Sequence, residues 1–386
     1  PATAPANTEP PMTAPFGIYV HWPWCRVRCP YCAFYVETDT PRWTAWADGV
    51  LAHLTAERPH FPGAAEHLYF GGGTPSLAPA RAIGRIIQAI DTTPDAEVTA
   101  EANPGTVDRH TLDQLVAVGV NRLSVGIQTF QPTLARLLSR AHTVHDAQRL
   151  LGLVRETDGL RSWSADLIFA VPGETLDHLR DDLARLIDSG APHVSIYGLS
   201  YEPGTPLTRA RDAGRLTPAD PDAWFDQYAL VVDTLEAAGL ARYEVSNFAR
   251  PGHHARHNHH VWRAGHYMGL GPSAHGFRPD GTRTTAPRDV EAWLARPEST
   301  TDQPGPHDAA VDFVLSTLRH RDGLHVPTLL RRTGRAIDLQ RLAPHHNRGL
   351  LQVDNDTVRL DKRGWSVADG LVRAVVDALI VPTQPR

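Results

Sequence analysis

Tyr19-Val-His21-Trp-Pro-Trp-Cys25-Arg-Val-Arg-Cys29-Pro-Tyr31-Cys32-Ala-Phe34 is the stretch from which the reading starts. Its first residues close a strand-like run, Gly17 to His21, and the rest reads as the loop that follows. The three thiols fall within eight positions at C-x3-C-x2-C and are the only cysteines in the chain. An odd number of cysteines cannot pair off into disulfides, and cysteines clustered at short spacing point to metal ligation. Thiolates suit soft iron, and cysteines that hold iron–sulfur clusters recur at such intervals. From one loop, Cys25, Cys29 and Cys32 can ligate three irons of a cubane and leave the fourth without a protein ligand. An open position of that kind lets a substrate bind the metal directly. The alternative is a zinc knot, which normally closes four ligands and would here need a histidine as the fourth.

Outward from this loop, strand-like runs alternate with amphipathic stretches. After Gly17 to His21 comes a helical pattern from about Pro41 to Glu57. His67 to Phe70, Glu97 to Ala102, Arg122 to Ile127, Trp163 to Phe169 and His193 to Leu199 are the later strands, each followed by helical sequence. Six β-then-α units in series predict an α/β fold, a parallel sheet with right-handed crossovers forming a partial (β/α)6 TIM-like barrel over residues 16–240. Chemistry in that architecture sits at the C-terminal ends of the strands. Residues 241–306 read as an irregular Gly/His-rich segment (Gly252 to His275) and a linker (Arg278 to Pro306). Residues 307–386 read as a small α+β domain, winged-helix-like: helices near Ala309 to His320 and Val326 to Thr333, a hairpin turning at Asp354-Asn-Asp356, and a last helix from Trp365.

Composition narrows the function classes. The 386 residues are 41% hydrophobic and 21% charged, with net charge -5. A mildly acidic balance predicts no nucleic-acid partner and no attraction to an anionic membrane. No apolar run reaches the ~20 residues of a membrane helix, so no membrane insertion is expected. Residues 1–15, rich in Pro, Ala and Thr without Arg or Lys, read as a disordered leader, with a cytoplasmic address as the default. Lys362 is the single lysine among 38 basic residues, which argues against Schiff-base chemistry and a Walker-type phosphate loop.

Four further motifs sit at strand ends. Phe70-Gly71-Gly72-Gly73-Thr74-Pro75 closes the second strand; glycines let a ligand approach the backbone, and consecutive N–H groups can receive a carboxylate. Glu101, in Thr-Ala-Glu-Ala-Asn103-Pro-Gly105, can accept both hydroxyls of a ribose, or it is a solvated strand-end acid. Gln128 ends the fourth strand, with Arg140 twelve residues on. Asp166 stands in an otherwise apolar strand, where an acid is costly unless paired.

The C-x3-C-x2-C loop with these motifs resembles the radical-SAM proteins. From Tyr19 to about Leu379 the chain looks like the oxygen-independent coproporphyrinogen III oxidase family, in its haem chaperone branch. The resemblance implies a [4Fe–4S] cluster on Cys25, Cys29 and Cys32, and S-adenosylmethionine (SAM) bound through its amino and carboxylate groups. It also implies electron transfer from cluster to SAM, giving methionine and a 5′-deoxyadenosyl radical. Gly72, Gly73 and Thr74 match the loop that holds the methionyl end. Glu101, Gln128, Arg140 and Asp166 match positions that contact SAM, with one or two SAM molecules left open. Tyr19 and Tyr31 match family positions too, or are packing groups.

Five histidines lie within eight residues from His253 to His260, and imidazole is a common axial ligand of haem iron. His257-Asn258-x-x-x-Trp262 resembles the haem chaperones' His-Asn-x-x-Tyr-Trp, with Val261 where the pattern has Tyr. The resemblance implies a haem-related role for His257, as ligand or behind one. Phe34 stands where the true oxidases add a fourth Cys, and the 24 residues before Cys25 are fewer than their N-terminal arm. Leu318-Arg319, Gly323-Leu324 and Leu360-Asp-Lys-Arg-Gly364 also resemble the chaperone branch. Ala33-Phe34-Tyr35 departs from its Asp-Phe-Asn. Three functions stay open: a chaperone that delivers haem to a membrane acceptor such as a respiratory enzyme, a coproporphyrinogen III oxidase, or another radical-SAM enzyme on this scaffold.

Overall fold

The computed structural model describes residues 15–139 and 142–382. Six strands run parallel and in chain order: β1 (Phe16–Trp22), β2 (Ala65–Gly72), β3 (Thr92–Ala102), β4 (Arg122–Gln128), β5 (Ser162–Phe169) and β6 (His193–Gly198). The crossovers carry α1 (Trp43–Glu57), α2 (Ala80–Gln88), α3 (Arg109–Ala117), α4 (Pro132–Leu137), α5 (Val144–Arg155) and α6 (Leu176–Asp188). After β6 come α7 (Pro206–Asp212) and α8 (Pro221–Ala237). Local chemistry starts several of these helices. Asp108 and Asp220 cap α3 and α8, and Thr143 and Thr175 form capping boxes with Asp146 and His178. Each supplies an acceptor for amides that no preceding turn can satisfy.

Alternation along the strands sorts two faces. Ile18, Val20, Leu68, Phe70, Leu123, Val125, Leu167 and Val194 are buried in one core with Val50, Ile83, Leu112, Leu150 and Leu183 of the helices. The intervening residues are largely polar: Tyr19 and His21 on β1, His67 and Tyr69 on β2, Glu97 and Glu101 on β3, Arg122 and Ser124 on β4, Ser162 and Asp166 on β5, His193 on β6. The register sets Glu101 beside Ser124, and Gly126 beside Asp166.

The sheet does not end with these strands. β7 (Ala241–Arg242) and β8 (Asn247–Ala249) extend the β6 edge antiparallel. At the other edge β9 (His266–Leu270) lies parallel to β1, followed by antiparallel β10 (His275–Phe277), β11 (Arg283–Thr285) and β12 (Thr300–Asp302). The stretch Arg278 to Pro306, expected as a linker, is therefore sheet edge plus α10 (Val290–Ala295). Its strands are only three residues long, too short to carry a periodic signal, and it is anchored by Trp293, fully buried against Gly49 of α1, with Ala286 and Val290 in the same core. The segment read as irregular, Gly252 to His275, holds α9 (Arg256–Trp262) as well as β9. Its apolar period is missing because His257, not an aliphatic residue, fills the buried position of α9.

From Pro306 a second core forms around Phe313, Leu329, Leu351 and Val375. α11 (Pro306–Thr317), α12 (Val326–Thr333), α13 (Ala343–Asn347) and α14 (Ala368–Asp377) pack with a three-stranded sheet of Leu324–His325, Thr357–Leu360 and Leu351–Val353. Ala336–Ile337 pairs with Leu379–Ile380. The expected hairpin is present, closed by Asp354 N–H donating to the Thr357 carbonyl at 3.0 Å. Among the described residues, no helix is long and apolar enough to cross a membrane.

Candidate functional site

A cavity of about 700 Å³ opens where the parallel strands end. Cys25, Cys29 and Cys32 line it from the loop after β1, and Tyr31 and Phe34 belong to the same wall. The loop is tied down by Cys25 N–H donating to the Glu37 carbonyl (2.9 Å) and by a turn in which Cys32 N–H donates to the Cys29 carbonyl (3.2 Å). Cys25 Sγ lies 3.4 Å from Thr74 Oγ1, which accepts from Asn103 Nδ2 at 2.9 Å. Burial pushes the Cys25 thiol up to about 11 and raises Cys32 as well, so stable thiolates here need a strong local positive charge such as bound iron.

The glycine loop is built for close approach. Gly72 adopts φ +107°, and a Cβ there would come within 2.4 Å of the His21 ring. A Cβ on Gly73 would sit 2.5 Å from the Trp24 carbonyl oxygen. The amides, however, are already engaged. Gly73 N–H donates to the Trp22 carbonyl (2.7 Å), Thr74 N–H to the Trp24 carbonyl (2.9 Å), and Gly72 N–H to Glu101 Oε2 (3.1 Å). The expected nest of free N–H groups for a carboxylate is therefore not what this loop offers. Those hydrogen bonds fasten it to the residues before Cys25 and to Glu101, and the Thr74 hydroxyl is itself engaged by Asn103 and Cys25.

Glu101 accepts from Tyr69 Oη at 2.9 Å through its other oxygen. Burial raises its pKa to about 7, opposed by the Tyr69 hydrogen bond and aided by the charge of Asp166. Ser124 Oγ donates to both Asp166 oxygens, at 3.2 and 3.3 Å. Gln128 sits in the left-handed region at φ 71°, beside a register shift between β4 and β5. Such a conformation is costly for a residue with a Cβ and is found where a bulge re-aims a side chain, often at a binding site.

At the opposite end of the strands the His-rich stretch walls a second cavity of about 580 Å³. His67, His254, His259, His260 and His266 contribute imidazoles, and Arg256, Arg263 and Arg332 contribute guanidinium groups. Burial lowers the His67, His259, His260 and His266 rings below their usual range. His257 lies behind this cavity, 7% exposed, with its ring 5.2 Å from that of Tyr69.

The radical SAM superfamily matches residues 19–186, the span from β1 through most of α6. A heme chaperone, HemW, from Mycobacterium tuberculosis is 34% identical over 382 residues, covering 94% of this chain and 95% of that one. The chain belongs to the heme chaperone family of radical-SAM proteins. HemW from a Synechocystis strain is 33% identical over 318 residues, covering 79% of this chain and 77% of that relative. Among solved structures, coproporphyrinogen III oxidase (HemN) from Escherichia coli, a radical-SAM enzyme, superposes with a TM-score of 0.79. It covers 95% of this chain and 90% of its own at 22% identity, a likeness of fold.

Of the residues expected at the family's site, Cys25, Cys29, Cys32, Tyr31, Gly72, Gly73, Thr74, Glu101, Gln128 and Asp166 line the first cavity. Tyr19 does not; it lies beneath the glycine loop, its hydroxyl 3.1 Å from His21 Nδ1 and its ring stacked on Tyr69. Arg140 lies outside the described residues. Ser124, Tyr197 and Glu202 also line the cavity and were not singled out from sequence. Ser124 and Tyr197 share the strand alternation of Glu101 and Asp166, a signal that was available. Among the described residues, no three His, Cys, Asp or Glu side chains converge as one bare ion would need. Cys25, Cys29 and Cys32 share one cavity wall, and thiolates are donors that suit soft iron.

Proposed function

We propose that this chain is a radical-SAM haem chaperone. In this reading Cys25, Cys29 and Cys32 hold a [4Fe–4S] cluster, the first cavity binds SAM, and haem is carried from the cytoplasm to a membrane acceptor such as a respiratory enzyme. One observation carries it: the three thiols, the Gly72–Thr74 wall and Glu101 meet in one cavity, in a chain that aligns nearly end to end with heme chaperones. When bound, the cluster supplies an electron to the sulfonium of SAM.

The residues divide the work of holding SAM. Gly72 and Gly73 leave space for the methionyl end, and Thr74, held by Asn103 and Cys25, completes that wall. Glu101, held by Tyr69 and Gly72, is set to accept from ribose hydroxyls, and Gln128, Asp166 and Arg140 complete the contacts. Tyr31 packs beside the cluster. Phe34, 67% exposed on the cavity rim, occupies the place of the oxidases' extra cysteine, which favours carriage over decarboxylation. His257 takes a haem-related role from the far side of the strands. The body from His307 onward we read as a winged-helix-like cap, supported by α11, α12 and the Leu351–Leu360 hairpin.

The test is anaerobic reconstitution with iron and sulfide, haem titration, and assay with coproporphyrinogen III. Haem uptake without decarboxylation is the expected result. Decarboxylation would replace this reading by the oxidase, and failure to assemble a cluster would remove both.

A further inference from the structure

The second cavity lies where β1, β2 and β9 begin, and its wall is polar. Five imidazoles and three guanidinium groups stand there against one carboxylate, that of Glu66. Such a wall suits a small anion rather than an apolar molecule. Two glycines seat its rings. A Cβ on Gly17 would lie 1.7 Å from His67 Cε1, and one on Gly265 would lie 2.2 Å from His260 Nε2.

Backbone groups fix the tautomers of two of these rings. Asp322 N–H donates to His320 Nδ1 at 3.1 Å, so His320 carries its hydrogen on Nε2. That Nε2 lies 3.0 Å from His259 Nδ1, which therefore accepts, and His259 keeps its own hydrogen on Nε2. Burial lowers both rings to about 4, so both are neutral near pH 7. His260 Nε2 is 2.9 Å from the His266 carbonyl, which can only accept. Its Nε2 carries the hydrogen, and Nδ1 keeps a lone pair. His259 and His260 both line the cavity, and neither leftover nitrogen has a partner among the described residues. His67, 2% exposed, adds a buried Nε2 without a partner, an atom that native folds normally satisfy.

Charge narrows the occupant further. Arg256 pairs with Asp95 and Arg263 with Asp322. Arg332 donates to the Ala264 carbonyl at 2.7 Å and pairs with no carboxylate among the described residues. Among those residues no three His, Cys, Asp or Glu side chains converge as a bare cation would require. An anion answers the free guanidinium and the His259 N–H, but the lone pair of His260 repels one that has no proton. Sulfate and carboxylates have none to give near neutrality. Phosphate keeps one, and its three further oxygens can accept.

We propose that this cavity binds phosphate in a protonated form, with Arg332 and His259 Nε2–H donating to its oxygens and His260 Nδ1 accepting from its P–OH. Planar guanidinium groups match phosphate oxygens in geometry as well as charge. The site is separate from the cavity of Cys25, Cys29 and Cys32, and it does not depend on what the protein carries.

Equilibrium dialysis of the full chain against radiolabelled inorganic phosphate, at about pH 8, tests this. One saturable site should appear, and sulfate should compete about tenfold less well or worse, the scale of one hydrogen bond to a charged group. Arg332→Gln should weaken phosphate and sulfate alike, by about tenfold. His260→Phe, which keeps a ring over Gly265 but no nitrogen, should weaken phosphate and leave sulfate unchanged. Phenyl phosphate, whose last proton leaves near pH ~6, should compete poorly, which marks free phosphate rather than an ester as the ligand. Equal competition by phenyl phosphate, or a His260→Phe chain that keeps the parent's preference, would overturn the acceptor role of His260. A parent that binds no phosphate, or holds sulfate equally well, overturns the proposal without recourse to any variant.

Discussion

His257 Nδ1 lies 3.2 Å from His67 Nδ1, so at that contact one imidazole donates and the other accepts. Both rings are buried, at 7% and 2% exposure, and burial holds both in the neutral form, His257 at about 3. The His257 ring also packs 5.2 Å from that of Tyr69, whose hydroxyl donates to Glu101. A continuous line of side chains thus joins the imidazole cavity at one end of the strands to the Glu101 cavity at the other.

The seat of His67 depends on Gly17. Gly17→Ala should destabilise the chain by about 1–3 kcal/mol or more, the usual cost of forcing atoms into a packed interior. Adding His67→Ala should recover part of that loss, because the three atoms nearest the new methyl group all belong to this ring. Urea midpoints of the two single variants and the double variant measure the coupling. Strictly additive losses would show that the ring is not what excludes a methyl group.

Replacing Cys25, Cys29 and Cys32 together by Ala should abolish the brown absorbance of anaerobically reconstituted protein, with iron and sulfide at background. Retained cluster iron would contradict the ligand assignment. Gly73→Ala should also lower cluster occupancy, since its Cβ would meet the Trp24 and Trp22 carbonyl oxygens at 2.5 and 2.9 Å. Backbone cannot rotate away as a side chain can, so the cysteine loop would have to move.

Glu101→Gln removes a charge that Tyr69 and Gly72 hold in place. SAM affinity should fall about tenfold, the scale of one lost charged hydrogen bond, with iron content unchanged. Equilibrium dialysis at fixed cluster loading reads this. Unaltered SAM affinity would assign Glu101 to the fold rather than to the ribose.

Stability of the ligand-free chain should peak near neutrality. His21 and His53 are lowered to about 4 and His257 to about 3. Below 6.5 the unfolded chain therefore binds protons that the fold refuses, and stability falls as pH drops toward 4. Glu101 and Glu244 are raised to about 7 and Glu174 to about 8, in each case by burial. Their stabilisation is complete below the ordinary 4.5 and is lost as pH rises through 7 to 8. Thermal midpoints should decline on both sides, and Glu101→Gln should remove one group's share of the loss that accrues between pH 4.5 and about 7. A flat profile would mean that these groups are solvated.

Much of the site could be read from sequence because its signals are local. The spacing of Cys25, Cys29 and Cys32 is a property of one loop. Gly72, Gly73, Thr74, Glu101 and Gln128 could be placed because each stands at the end of a strand that neighbouring residues specify. Period-two alternation and capping act between residues a few positions apart, so β1 to β6 and their helices appear near their expected bounds.

Contacts between distant segments decided the rest. Whether the amides of Gly72 to Thr74 are free depends on Trp22, Trp24 and Glu101, and the structure shows them engaged. Trp293 turns a linker-like stretch into sheet edge by packing on α1, and His257 meets His67 across 190 positions. Short edge strands and buried imidazoles carry no periodic mark of their own. Their burial is set by what the completed sheet places against them, which no window of sequence contains.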